Sequence, residues 1–285
     1  MSSNNSLKYA DVYLPSSTRP SGLNIRPQPN SSQYPIGILA HGCKAVVLAT
    51  NDPNWYECRY RGQVGYVKAE FLQNFSEAHD GAYHGESEDT PNRLLGVATQ
   101  EQSALYYSHP KFFCYGMEKH DGNGDPTQWC HMFADWLSSH CYWGIYGASV
   151  FPFVHNCKVG VCWFLNKNNF FFASAVLKAQ TRTLSGMSSL VLQDALTTEE
   201  QGYRSIEGDY VYFRYNNNDV ASHVAVVLAS QSVFNSSTRE WEMTGITIGE
   251  GNVNDGTVRV RTISKNNFAS EGVLGFGKPE GYGYG

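Results

Sequence analysis

The feature that most constrains the fold is a polar, acidic segment at residues 74–90, NFSEAHDGAYHGESEDT, which separates two differently patterned stretches. It has few aliphatic side chains, which is typical of a linker between domains. Before it, short apolar runs alternate with turn residues, whereas the chain after it begins with helical patterns and ends with strand patterns. The sequence therefore predicts two domains, at 1–73 and 91–285, joined by a linker at 74–90.

The first domain is predicted to be a small all-β barrel. Its apolar runs have the length of strands, and their close spacing between turn residues is typical of small barrels. The expected strands are 10–14, 23–26, 36–40, 43–49, 55–60 and 63–68.

The second domain is predicted to have an α+β order, with helices first and strands later. We expect one helix from 91 to about 103 and a second that begins near Asp125. Residues 174–207 show no clear periodicity, and we interpret them as an insertion. The expected strands are 208–215, 222–230, 242–252 and 257–263, the last two joined by a turn that contains Asp255-Gly256.

Composition and motifs argue against several classes of function. The formal net charge is -5, and no cluster of Lys and Arg marks a nucleic-acid interface. The longest apolar or small stretch, near 170–177, is far shorter than the roughly 20 residues of a membrane span. The sequence contains no G-x-S-x-G, H-E-x-x-H, Walker A or G-x-G-x-x-G motif. We therefore expect neither a nucleic-acid partner nor a membrane span.

The cysteines and the amino-terminal residues leave the compartment open. The seven cysteines include no C-x-x-C pair, which argues against a structural zinc site. Their odd number leaves at least one thiol unpaired, and the other six fit either a reduced or an oxidised state. The first residues, MSSNNSLKYADVYL, lack the basic and apolar regions of a secretory signal.

The segment GNGDPTQWCHMFADWL predicts a reactive cysteine. Asp125, Pro126 and Gln128 form a helix-start signature, which places Cys130 in an early turn of a helix. The positive end of the helix dipole favours the thiolate, which is the nucleophilic form of cysteine. The alternative is a buried structural cysteine.

A nucleophilic cysteine requires a base, and the positions of the histidines favour His223. His131 follows Cys130 on the same helix and points about 100 degrees away from it. His140 lies about 15 Å further along the helix axis. His223 opens an apolar strand after the polar turn NNNDVAS, where a strand could hold a base. The alternative is a histidine that only caps the strand.

Two residues could orient the imidazole. Glu250 and Asn252 are two apart on the next strand, so we expect both side chains on one face, where either could accept a hydrogen bond from the ring. The alternative is that this Glu-Gly-Asn sequence only forms a turn.

A further pattern, before Cys130, has the spacing of a calcium loop. Asp121, Asn123 and Asp125 place three oxygen-bearing side chains two residues apart. Met132 stands where a calcium loop has a bidentate glutamate. The pattern favours a plain turn with an N-cap and leaves calcium binding as the alternative.

The first domain resembles bacterial SH3 domains. The resemblance is carried by LNIRPQPNSSQYPIGIL and GCKAVVLATNDPNWYECRYRGQVGYVKAEFL, in that order. It implies an SH3-like barrel that binds the cell wall and raises the local concentration of substrate for a tethered enzyme. Tyr34, Asn54 and Trp55 would form a groove for a wall peptide, although Trp55 fits a core position equally well.

Residues 90–279 resemble the CHAP family of cysteine amidases and endopeptidases. The matching pieces are WCHMFADWL, VFPFVHNCKVGVCWF, GDYVYF, SHVAVV and ITIGEGN followed by VRVRTI and LGFGKP. The resemblance implies a papain-like α+β domain with an antiparallel sheet packed on helices. It implies Cys130 as nucleophile, His223 as general base and then acid, and Glu250 with Asn252 as orienting residues.

These resemblances imply a bacteriolytic, endolysin-like peptidoglycan hydrolase that needs no cofactor, with calcium as the alternative. It would cleave either the N-acetylmuramoyl-L-alanine amide or a peptide bond of the stem or cross-bridge. It would act outside the cell or at the wall, after phage-type release or as a trimmed chain. The alternatives are an NlpC/P60 endopeptidase, whose third residue is usually histidine, and an inactive wall-binding or adhesion protein.

Overall fold

The computed structural model describes residues 6–18, 22–39, 41–60, 63–78, 130–131, 133–134, 137, 156–215, 220–253 and 257–279. The chain divides into two compact units. The described residues up to 78, with Leu137, belong to the first unit, and residues 130–134 and those from 156 onward belong to the second. The described part is mixed α+β with more strand than helix, which confirms the predicted class. The helix expected at 91–103 lies outside the described residues.

The first unit contains two antiparallel sheets among its described residues. Its elements are β1 (Lys8–Val12), β2 (Leu23–Ile25), β3 (Gly37–Leu39), β4 (Lys44–Ala49), β5 (Trp55–Tyr60), β6 (Gln63–Lys68), a 3-10 helix (Ala69–Phe71) and β7 (Leu72–Glu77). The larger sheet has the order β6-β5-β4-β1-β7, and β2 pairs with β3. A bridge between Arg26 and Tyr66 links the end of β2 to β6. All six predicted strands are present within two residues of their expected bounds.

Strand β7 corrects the expected start of the linker. It pairs with β1 at the edge of the larger sheet, so residues 74–77 belong to a strand and not to a linker. Leu72 is its buried residue, and the five side chains that follow are exposed. An edge strand with side chains exposed on both faces has the polar composition of a linker, so composition alone does not separate the two.

The second unit is built on one seven-stranded sheet. Its strands are β8 (Phe170–Phe172), β9 (Leu196–Thr197), β10 (Tyr210–Phe213), β11 (His223–Asn235), β12 (Glu240–Val253), β13 (Thr257–Ser264) and β14 (Val273–Gly277). Its helices are α1 (Cys157–Asn166), α2 (Ala175–Gln180), α3 (Ser189–Asp194) and a 3-10 helix (Lys265–Asn267). The strand order is β13-β12-β11-β10-β14-β8-β9, antiparallel except between β8 and β9. The four predicted strands correspond to β10 through β13.

The central strands are buried on both faces. All four residues of β10 and all five of β14 are buried, as expected for strands covered on both sides. Val211 and Phe213 of β10 belong to a core cluster with residues of β11 and β12. Because side chains alternate along a strand, Tyr210 and Tyr212 project to the other face, where both rings lie near Phe164 of α1.

The segment 174–207, interpreted from the sequence as an insertion because it shows no clear periodicity, contains α2, α3 and β9. Ser174 and Ser188 cap the two helices through hydrogen bonds to the backbone N–H groups of Leu177 and Leu190. Each helix has six residues, which is less than two turns and too short to show a helical period. No helix in the described ranges is long and apolar enough to cross a membrane.

Gly160 allows α1 to approach the sheet closely. A Cβ atom at this position would lie 2.3 Å from the Tyr212 hydroxyl and 2.4 Å from His131 Nε2. Those two atoms are themselves in contact at 3.1 Å. A carbon atom does not come this close to a non-bonded oxygen or nitrogen atom. Helix α1 can therefore pack against Tyr212 and His131 only because residue 160 has no side chain.

We expect Gly160→Ala to lower the free energy of unfolding by about 1 to 2 kcal/mol, because overpacking outweighs the gain in helix propensity. The control is Val159→Ala at the neighbouring, partly exposed position, where no such contact forms. Chemical denaturation of both variants gives the measurement. A Gly160→Ala protein more stable than wild type would contradict the close approach.

Candidate active site

Cys130 lies in a buried helical segment of the second unit. Residues 130, 131, 133 and 134 are helical and buried, and Cys130 is 2% exposed. The helix expected to begin near Asp125 thus includes Cys130, although Asp125 itself lies outside the described residues. The helix fixes the direction of the thiol toward its neighbours in this unit.

Among the described residues, the Cys130 thiol contacts the sulfur of Cys157. The two Sγ atoms are 3.8 Å apart, and Cys157 is the first residue of α1. The pKa of Cys130 lies well below its ordinary value, and the largest cause is a hydrogen bond from Cys157. Burial raises this pKa, whereas the hydrogen bond and charge of His223 and the charge of His131 lower it further. The environment therefore favours a thiolate at Cys130.

His223 opens β11 and is held between a carboxylate and two aromatic rings. Its Nε2 lies 3.1 Å from Glu250 Oε2, and its ring lies 5.7 Å from that of Phe213 and 6.0 Å from that of Tyr215. Burial lowers the pKa of His223, but interactions with Cys130 and Glu250 outweigh it and raise the pKa to about 9. A raised histidine pKa beside a lowered cysteine pKa favours a thiolate–imidazolium pair.

Glu250 is a fully buried carboxylate that has three partners. Its Oε2 accepts from His223, and its Oε1 accepts from the Nε–H groups of Arg259 and Arg261, each at 2.8 Å. Burial alone would raise the pKa of Glu250, but hydrogen bonds from His223 and Arg259 and the charge of Arg261 hold it below its usual range. The carboxylate is therefore ionised, and it fixes the imidazole by hydrogen bond and charge.

The pairing of β12 with β13 places the two arginines. Arg259 lies directly opposite Glu250, and Arg261 lies opposite Ile248, two residues along on the same face. Arg261 also contacts Glu271 and lies 5.3 Å from the ring of Phe213. Sequence analysis missed both arginines as site residues. The two arginines could have been predicted by pairing ITIGEGN with TVRVRTI as a hairpin across the Asp-Gly turn, because alternate residues of a strand share a face.

The backbone at Asn252 departs from the regular strand that the sequence predicted. Its backbone has a φ of 59°, and the register of β12 against β13 shifts between Glu250 and Val253. A bulge breaks the alternation of side chains, so the spacing of two no longer places both residues on one face. Among the described residues, the ring of His223 has a hydrogen bond to Glu250 and none to Asn252. The structure thus brings together Cys130, His223 and Glu250.

His131 has a separate partner on the sheet. Its Nε2 lies 3.1 Å from the hydroxyl of Tyr212, and its ring lies near that of Tyr210. His131 is 1% exposed, so this polar contact is buried. It fastens the helical segment that carries Cys130 to the sheet.

The three residues considered for calcium, Asp121, Asn123 and Asp125, lie outside the described residues. Calcium binding at these residues therefore stays a prediction. Within the described ranges, no group of three or more His, Cys, Asp or Glu side chains is placed to hold a metal ion.

Comparisons with known proteins find no matching family model and no matching curated protein. Among solved structures, similarity is found to NlpC1 from Trichomonas vaginalis, at 13% identity and a TM-score of 0.29, over 96% of this chain and 69% of that chain. NlpC2 from the same organism is 12% identical with a TM-score of 0.26, over 96% of this chain and 72% of that chain. At this level of similarity, the site is interpreted from its own geometry.

The lowered pKa of Cys130 predicts that its thiol ionises at a lower pH than an ordinary thiol. An acid with a lowered pKa is deprotonated above that pKa, so the thiolate should persist well below the pH at which ordinary thiols ionise and disappear as the pH falls further. The difference in thiolate ultraviolet absorbance between wild type and Cys130→Ala measures it. A difference signal that appears only near the ionisation of an ordinary thiol would contradict the arrangement.

We expect Glu250→Gln to lower the pKa of His223 from about 9 toward its ordinary value, since the variant removes the negative charge and keeps the shape. Nuclear magnetic resonance titration of the imidazole, assigned with His223→Gln, gives the measurement. Glu271→Gln is the control, because that carboxylate also contacts Arg261 but does not contact the imidazole. An equal shift in both variants would mean that Glu250 does not act directly on His223.

Proposed function

We propose that the protein is a cysteine-dependent hydrolase that cleaves an amide bond of peptidoglycan. The observations that carry the proposal are the contact of His223 with the buried Glu250 and the interaction of His223 with the Cys130 thiol, which raises the pKa of the imidazole and lowers that of the thiol. The bond is either the N-acetylmuramoyl-L-alanine amide or a peptide bond of the stem or cross-bridge. The wall polymer as substrate rests on the resemblance of the two domains to bacterial SH3 and CHAP domains.

Catalysis begins with attack of the Cys130 thiolate on the carbonyl carbon of the scissile amide. The imidazolium of His223 donates its proton to the leaving amine, which leaves a thioester on Cys130 and a neutral imidazole. His223 then takes a proton from water, and the hydroxide formed releases the acid product from the thioester. The backbone N–H of Cys130 is a candidate donor to the oxyanion.

Glu250 keeps the imidazole in one orientation through both steps. Its Oε2 accepts the Nε2–H of His223 at 3.1 Å, so the other ring nitrogen is left to exchange protons with the reacting groups. The two arginines on Oε1 keep the carboxylate ionised although it is fully buried. Without them, burial would favour a protonated glutamic acid, which would not stabilise the imidazolium.

The first unit is proposed as the wall-binding module. Asn54 and Trp55 line a depression of about 780 Å³, together with residues of the 29–31 loop. Trp55 is 8% exposed, so it is a core residue whose edge reaches the depression. Tyr34 is 93% exposed and does not line this depression. A wall peptide in this groove would thus contact Asn54 and the edge of Trp55, and not Tyr34.

The test is release of soluble fragments from purified peptidoglycans of several cross-link types. We expect wild type to release fragments and Cys130→Ala to be slower by at least about 10³-fold, as for loss of a catalytic nucleophile. Cys162→Ala is the control, since it removes another buried thiol of the second unit outside the proposed site. New amino termini and fragment masses identify the bond.

The outcomes separate the alternatives. New amino groups on stem peptides, with muramoyl-alanine intact, would favour an endopeptidase of the NlpC/P60 type over an amidase. If no wall preparation is cut while the protein still sediments with peptidoglycan, the chain is a wall-binding protein. If Cys130→Ala cuts as fast as wild type, the catalytic assignment is wrong.

A further inference from the structure

Two buried thiols of the second unit face each other. The Sγ atoms of Cys130 and Cys157 are 3.8 Å apart, and the two residues are 2% and 6% exposed. This separation is about 1.8 Å longer than a disulfide bond of about 2.05 Å. Cys130 is the proposed nucleophile, but the hydrolytic mechanism uses no second thiol.

We propose that Cys130 and Cys157 form a reversible disulfide when the protein meets a hydroperoxide, with Cys130 as the peroxide-reactive thiol and Cys157 as the resolving thiol. The oxidised form has no thiolate and cannot hydrolyse an amide. This modification site does not depend on the proposed hydrolytic function, because the bond can be observed directly.

The first step is attack of the Cys130 thiolate on one peroxide oxygen. A sulfur–oxygen bond forms, the oxygen–oxygen bond breaks, and the departing alkoxide or hydroxide takes a proton, for which the imidazolium of His223 is a nearby donor. The products are a sulfenic acid at Cys130 and an alcohol or water. Sulfur is oxidised by two electrons, and the peroxide is reduced by two.

The second step is attack of Cys157 on the sulfenic sulfur. The sulfur–sulfur bond forms, the sulfur–oxygen bond breaks, and the hydroxide that leaves combines with the proton of the Cys157 thiol to give water. Overall, two thiols and one peroxide give a disulfide, an alcohol or water, and one more water. A dithiol reductant restores both thiols by exchange.

The position of Cys157 suits this role better than that of the other thiol on α1. Cys157 opens the ten-residue helix α1, and its sulfur already contacts that of Cys130. Cys162 lies five residues further along, where Asn166 contacts its sulfur and burial raises its pKa. Geometry and reactivity thus both select Cys157.

The resolving thiol would also protect the nucleophile. A sulfenic acid without a neighbouring thiol is oxidised further to sulfinic acid, which dithiol reductants do not reverse. The disulfide stops oxidation at a reversible stage. Cys157 would thus convert oxidative damage at Cys130 into a temporary loss of reactivity.

The test is peptide mapping of the full chain by mass spectrometry, without reduction, after treatment with one equivalent of hydrogen peroxide. We expect a cross-linked pair of peptides that contain Cys130 and Cys157, with the mass of two hydrogen atoms lost and regained on reduction with dithiothreitol. Wild type alone suffices for this measurement. Sulfinic acid at Cys130, or a cross-link from Cys130 to any other cysteine, would overturn the proposal.

Variants test the role of Cys157 separately. Cys157→Ser keeps a hydrogen-bond donor beside Cys130 but has no sulfur. With two or more equivalents of hydrogen peroxide, we therefore expect sulfinic acid at Cys130 in this variant and no recovery of that thiol with dithiothreitol. Cys162→Ser should behave as wild type. Equal recovery of the Cys130 thiol in Cys157→Ser and wild type would exclude Cys157 as the resolving thiol, whether or not either protein hydrolyses peptidoglycan.

Discussion

The ionised carboxylate of Glu250 is the interaction on which the proposed site depends. A buried carboxylate is costly unless it is paired and hydrogen-bonded, and Glu250 meets this condition with two arginines on one oxygen and His223 on the other. Its charge raises the pKa of the imidazole, and the imidazole in turn lowers that of the Cys130 thiol. The carboxylate thus supports the thiolate through the imidazole, beside the larger effect of the hydrogen bond from Cys157.

That carboxylate depends on the register of a single hairpin. Glu250 is opposite Arg259 because β12 and β13 pair residue by residue from Gly245 to Glu250, and the register changes only beyond that point. A shift by one residue would turn both arginines to the other face and leave the buried glutamate with His223 as its remaining described partner. Several ordinary backbone hydrogen bonds of the ladder therefore maintain the electrostatics of the site.

The sequence predicted the parts whose signal is local. The strands around His223 and Glu250 alternate or run apolar, and the candidate nucleophile follows a helix-start signature, so patterns alone predicted them. The expected shared face of Glu250 and Asn252 is interrupted, because a bulge cannot be predicted from a spacing of two residues. Cys157 and Arg261 were missed since their roles arise only when α1 and β13 are placed beside their neighbours. Short helices such as α2 and the polar edge strand β7 carry too little periodicity to be recognised.

The arginine pair also has a consequence for the charge balance of the reaction. In the thiolate–imidazolium state, the cluster has three positive and three negative formal charges. The positive groups are Arg259, Arg261 and His223, and the negative groups are Glu250, Glu271 and Cys130. After acylation, the thioester and the neutral imidazole each carry no charge, and two positive groups still face two negative ones. The net charge of the cluster is therefore zero both before and after acyl transfer, and the reaction leaves no uncompensated charge in the buried site.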